Sequence, residues 1–122
     1  MRKIISVLVA ATILAIGSPA GAQAKTELTL AYMADAGFAT AVVITCDPAS
    51  GVHPNAKKVC KTLTKVKGDP NRIKPAKTMC TLEYAPITAE VTGIWKGKKV
   101  KWSKKFSNSC DMRRATGVLF TF

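Results

Sequence analysis

The sequence predicts an α+β domain: about five strands with one or two helices packed on one face of the sheet. Three observations predict it. Several segments alternate apolar and polar residues with the period of a strand, and one repeats its apolar residues at helical spacing. Four cysteines, an even count, fall after an apolar N-terminal stretch, which in a small exported chain reads as two disulfides.

Residues 1–24 read as a signal peptide. Arg2 and Lys3 precede an apolar run from Ile4 to Ile16, Gly17, Ser18 and Pro19 break it, and Ala22-Gln23-Ala24 fits a small-x-small cleavage pattern. The run is short for a bilayer span, which needs roughly 20 residues. No later apolar run is long enough to cross a bilayer, so no membrane association is expected after cleavage. Residues 25–122 are then one secreted domain, able to bury a single modest core.

Taken in order, Leu28, Leu30 and Tyr32 share one face of a first strand, and Ala34-Asp35-Ala36-Gly37 makes a turn. Phe38 to Cys46 is rich in Val, Ile and Thr, with Val42, Ile44 and Cys46 in step on a second strand. Asp47 to Pro54 is a turn-rich loop, and Pro54 suits the first position of a helix. Ala56, Val59, Cys60 and Leu63 then recur at i, i+3, i+4 and i+7, while Lys57, Lys58, Lys61 and Lys65 point elsewhere. That is an amphipathic helix lying on a sheet, capped at Gly68. Asp69-Pro70-Asn71 predicts a short second helix, limited by Pro75. Lys77 to Ala85 lacks a period and reads as an irregular loop. Ile87, Ala89 and Val91 start a further strand, Trp95-Lys96-Gly97-Lys98 reads as a tight hairpin turn, and Val100, Trp102 and Phe106 line the return strand. Val118, Phe120 and Phe122 predict a closing strand over Ala115 to Phe122.

The four cysteines, Cys46, Cys60, Cys80 and Cys110, allow three connectivities. Local pairing, Cys46 with Cys60 and Cys80 with Cys110, is the natural choice. A four-cysteine metal site would need a C-x2-C spacing that is missing, and no metal or cofactor is expected.

The formal charge is +12, two units of it from Arg2 and Lys3. A lysine-rich surface can steer a protein towards acidic partners, but it reads first as a well-solvated surface. Nothing resembles a nucleic-acid motif or a basic strand interleaved with aromatics, so no nucleic-acid partner is expected. Catalysis is poorly supported. His53 is the single histidine, no G-x-S-x-G elbow or phosphate loop is present, and the acids are scattered. The chain is not expected to be an enzyme.

A different chemistry suits Met79-Cys80-Thr81-Leu82-Glu83-Tyr84-Ala85-Pro86. An extended loop can enter a protease cleft by strand addition. If it is rigid beforehand, little entropy is lost on binding. If its ends stay tethered after cleavage, the new amine rejoins the acyl-enzyme before water attacks. Such a loop needs a disulfide beside the scissile bond, a proline-limited strand behind it and a polar brace, for which Cys80, Pro86 and Asn108 are candidates.

Over about Leu28 to Phe122 the chain resembles the Streptomyces subtilisin inhibitor family of secreted serine-protease inhibitors. Its landmarks occur in order: Gly51-Val52-His53-Pro54, the helix with Cys60, Gly68-Asp69, Met79-Cys80 and Tyr84-Ala85-Pro86, followed by Gly93 to Gly97, Phe106 to Cys110 and Phe120-Thr121-Phe122. The resemblance implies a five-stranded antiparallel sheet with two helices on one face, Cys46–Cys60 and Cys80–Cys110 bridges, and a homodimer through the sheet. It makes Leu82 the primary specificity residue and Leu82–Glu83 the reactive bond, flanked by Met79, Cys80, Thr81 and Tyr84 and braced by Asn108. Leucine there implies subtilisin-like or chymotrypsin-like targets rather than trypsin-like ones. Thr81 stands where members commonly carry proline, and Glu83 puts a charge on the leaving side. The competing expectation is a secreted cationic binding protein that keeps the fold without inhibiting.

Overall fold

A computed structural model describes residues 24–122, so the predicted signal peptide lies outside the described residues apart from Ala24. In chain order the elements are β1 (Glu27–Ala34), β2 (Ala39–Thr45), β3 (Ser50–Gly51), α1 (Ala56–Lys65), a 3₁₀ turn (Pro70–Arg72), β4 (Ile87–Trp95), β5 (Lys98–Phe106) and α2 (Ser109–Thr116). The strands form one five-stranded antiparallel sheet, ordered β3-β2-β1-β4-β5.

Alternation along each strand becomes rows across the sheet. Leu30 sits opposite Val42 and Val91, and Val91 opposite Trp102, so apolar residues of one parity share a face. On it Leu28, Leu30, Ile44, Ala89 and Val91 are buried. α1 covers the β2–β3 side with Val59 and Leu63, and α2 covers the β4–β5 side with Met112. Each fully buried aliphatic side chain contributes roughly 1.5–3 kcal/mol.

The hairpin after Trp95 pairs Trp95 with Lys98, and Lys96 and Gly97 take φ of 46° and 81°. Positive φ at both central residues is the turn whose twist matches the strands. At the end of α1 both Lys67 (φ 55°) and Gly68 (φ 77°) are left-handed, a conformation that favours glycine, and the Gly68 N–H closes back onto the Leu63 carbonyl at 2.8 Å. Gly68 is glycine for a second reason: a Cβ there would lie 2.5 Å from the Trp95 ring.

Three expectations need correction. Ala115 to Phe122 is not a strand: α2 runs to Thr116, and Gly117, at φ 60°, turns the chain under the sheet. In α2 the buried residues are Met112 and Thr116, one turn apart. After Gly117 the consecutive Leu119 and Phe120 are both buried while Val118 is only half-buried, which is not the alternation of a strand. The fifth strand is instead the two-residue β3, within the predicted loop. The second α-helix is α2; Asp69-Pro70-Asn71 opens only a 3₁₀ turn, with the Asp69 side chain accepting from the Asn71 N–H at 3.0 Å. In addition, α1 begins at Ala56 rather than Pro54.

His53 joins the start of α1 to the C-terminus. Its Nδ1 accepts from the Asn55 N–H at 2.9 Å, so Nε2 carries the proton and donates to the Leu119 carbonyl at 3.0 Å. The ring meets Phe122 edge-on and is 3% exposed. His53→Ala leaves both backbone groups without partners in a dry setting. It is expected to lower unfolding stability by about 2–4 kcal/mol, read from urea melts. The Cys46–Cys60 bridge, Cα–Cα 5.7 Å, fixes the same helix to the end of β2.

Candidate functional site

Residues 74–86, between the 3₁₀ turn and β4, have no regular secondary structure. Proline at 75 and 86 denies this stretch two ladder donors, and the backbone is tied down at separated points instead. The Ala76 N–H donates to the Arg114 carbonyl (2.9 Å), the Ala85 N–H to the Ser107 carbonyl (2.8 Å), and the Asp35 N–H to the Pro86 carbonyl (3.0 Å).

Between these ties the loop stands off the body and turns its apolar side chains outward. Met79 is 95% exposed, Leu82 101% and Tyr84 79%. An isolated exposed leucine is unremarkable, but three large apolar side chains on six consecutive residues form a surface suited to a partner. Beneath them lies a hollow of about 230 Å³, walled by Thr81, Glu83, Ser107, Asn108, Asp111 and Arg114.

One covalent and two polar links cross that hollow, all from the start of α2 and its N-cap. Cys110 bridges to Cys80 with Cα–Cα 5.7 Å. In the chain-entropy model, closing a loop of this length is worth about 3–4 kcal/mol. Asn108 does two things with one amide. Its Oδ1 accepts from the Asp111 N–H at 2.8 Å and caps the helix. Its Nδ2 donates to the Thr81 carbonyl (3.2 Å) and the Glu83 carbonyl (2.8 Å), one on each side of Leu82. Asn108 is 5% exposed, so both bonds are largely shielded from water. Among the described residues no hydrogen bond is made to the backbone of Leu82 itself. Its neighbours are held and it is presented.

The sequence reasoning missed the supporting charges. Asp111, at the third position of α2, favours the positive helix terminus and accepts from Arg114 Nη2 at 2.9 Å. Asp35 Oδ2 lies 2.8 Å from Lys105 Nζ; this hydrogen bond and the carboxylate charge raise the lysine pKa above its usual value. The i, i+3 spacing of Asp111 and Arg114 was a readable signal, whereas Asp35 and Lys105 meet only through the fold. His53 lies elsewhere, with both ring nitrogens occupied by backbone groups, so neither can serve as a general base. Among the described residues, no group of three or more His, Cys, Asp or Glu could hold a metal ion.

The sequence profile of the subtilisin inhibitor-like family matches residues 14–108. Subtilisin inhibitor-like protein 1 of Streptomyces cacaoi is 36% identical over 93 residues, covering 73% of this chain and 84% of that protein. Protease inhibitor SIL-V1/SIL-V4 of Streptomyces netropsis is 41% identical over 92 residues, covering 73% and 84%. The subtilase-type protease inhibitor of Streptomyces coelicolor is 36% identical over 112 residues, covering 86% and 78%. Among solved structures, Streptomyces caespitosus sermetstatin in complex with Bacillus licheniformis subtilisin shares the fold. The TM-score is 0.69 at 23% identity, over 80% of this chain and 99% of that one.

Proposed function

This chain belongs to the subtilisin inhibitor-like family, which consists of protease inhibitors and not enzymes, and we propose that it is a secreted inhibitor of subtilisin-like serine proteases. Chymotrypsin-like enzymes, which also take an apolar side chain in their primary pocket, are a second target class. The observation that carries the reading is the Asn108 amide, which grips the carbonyls on either side of a fully exposed Leu82 next to the Cys80–Cys110 bridge.

In this reading Leu82 enters the primary specificity pocket and Leu82–Glu83 is the bond presented for attack. Met79, Cys80 and Thr81 add to the cleft as an extended strand on one side, and Glu83 and Tyr84 on the other. Being held beforehand, the loop loses little freedom on binding. After acyl transfer, the Glu83 amine stays close because Asn108 holds the Glu83 carbonyl while the disulfide holds Cys80. Re-formation of the peptide bond then outruns hydrolysis. Glu83 adds a negative charge to the leaving side and favours a protease with a basic rim there.

Export by residues 1–24 belongs to the same proposal. So does a homodimer through the sheet face opposite the helices, where Met33 and Val43 are exposed and an apolar groove of about 340 Å³ runs past Ala31 and Ala41. The test is titration of subtilisin with the oxidised protein, with mass spectrometry of the mixture over time. One-to-one, lasting inhibition with any cleavage confined to Leu82–Glu83 is the expected result. Rapid turnover at that bond with recovery of protease activity would reject inhibition, and cleavage elsewhere would reject the site.

A further inference from the structure

β5 is an edge strand, and the stretch Lys98-Lys99-Val100-Lys101-Trp102-Ser103-Lys104-Lys105 puts five lysines in eight positions. Edge strands commonly carry charged side chains, especially lysine, to prevent pairing with another chain. Here the positive charge spreads to both sides of the strand. Lys99 and Lys101 stand on the open face and Lys104 on the face towards the helices, all exposed. On that second side the segment after the 3₁₀ turn runs beside β5. The Trp102 indole N–H donates to Asn71 Oδ1 at 2.9 Å, and Pro70, Ile73, Trp102 and Lys104 line one small hollow. This brings the exposed Arg72 and Lys74 to the same edge.

Little negative charge offsets these groups. Lys105 is engaged by Asp35, but among the described residues no carboxylate forms an ion pair with Lys98, Lys99, Lys101, Lys104, Arg72 or Lys74. The adjacent strand β4 carries one acid, Glu90, opposite Ser103.

We propose that this edge binds a flexible linear polyanion that carries phosphate groups and no bases, at a surface separate from the reactive loop. Alternate residues of a strand are about 6.6–6.8 Å apart, so Lys99 and Lys101 offer successive charges to an extended chain. Lysine ammonium groups act as point charges and need no fixed phosphate geometry. A base-bearing strand would need exposed aromatic rings for stacking. The aromatic of this edge, Trp102, is instead half-buried, stacked on Phe120 at 6.1 Å between centroids, with its N–H already used.

The test measures binding of the purified protein to inorganic polyphosphate between about 50 and 200 mM salt, where affinity should fall linearly on a log–log plot. The triple variant K99Q/K101Q/K104Q is expected to bind on the order of tenfold more weakly, with a salt slope shallower by about 2. K57Q/K58Q/K61Q removes the same charge from exposed positions of α1 and should bind as the unsubstituted protein does. Equal weakening of both variants would mean diffuse net charge and overturn the proposal, as would no polyphosphate binding at all. Tighter binding to a single-stranded oligonucleotide of equal charge would overturn the base-free ligand. Both triple variants leave the residues of the reactive loop unchanged, so failure here is distinct from failure of inhibition.

Discussion

Replacing Leu82 by lysine is expected to weaken subtilisin binding by roughly 4 kcal/mol, about a thousandfold in Kd, and to create inhibition of trypsin. The loss follows from burying an ammonium in a pocket shaped for an apolar side chain, where no partner offsets its desolvation. The gain follows because a trypsin pocket carries an aspartate at its base. Neither change involves the fold: Leu82 is fully exposed and nothing in the core touches it, so stability should stay within about 0.5 kcal/mol. Inhibition constants for both proteases, alongside a thermal melt, make the check. A lysine variant that still inhibits subtilisin at full strength and ignores trypsin would mean that Leu82 does not enter the specificity pocket.

Much of the fold was legible because strand alternation reports burial directly. Leu28, Leu30 and Tyr32, then Ile87, Ala89 and Val91, all lie on the buried face expected of them. The C-terminus misled for a physical reason. Val118, Phe120 and Phe122 alternate, but Gly117 reverses the chain before them, so their spacing no longer measures a strand. The stronger signal lay upstream, where Asn108 can cap a helix and Met112 and Thr116 stand one turn apart. β3 was invisible because two residues hold no period. At the site the limits differ. From the residues alone Leu82 is as readily an ordinary strand residue, and its exposure depends on Pro86, Ser107 and Asn108 lifting the loop from the body. The double use of Asn108, as cap and as clamp, needs the start of α2 and the loop in one place, which spacing does not report.

That double use makes Asn108 the most informative position to change. Asn108→Ala removes the cap and both clamp bonds. Asn108→Asp keeps an oxygen facing the Asp111 N–H, and its charge suits the helix terminus by about 0.3–1 kcal/mol. The same change sets a carboxylate oxygen against the carbonyls of Thr81 and Glu83, where the amide nitrogen now sits 3.2 and 2.8 Å away. Both variants lose the clamp. The alanine variant loses about 1 kcal/mol more with its cap, and the aspartate variant loses about 1–3 kcal/mol to a buried carboxylate facing two carbonyl oxygens. Inhibition should follow the clamp and not the cap. Two lost clamp bonds are worth roughly 2 kcal/mol together, so both variants should bind subtilisin about thirtyfold more weakly. Both should also be cleaved progressively at Leu82–Glu83, since a looser loop lets the new amine drift from the acyl-enzyme. An aspartate variant that inhibits as durably as the unsubstituted protein would assign Asn108 to the helix alone and leave the Cys80–Cys110 bridge as the tether that matters.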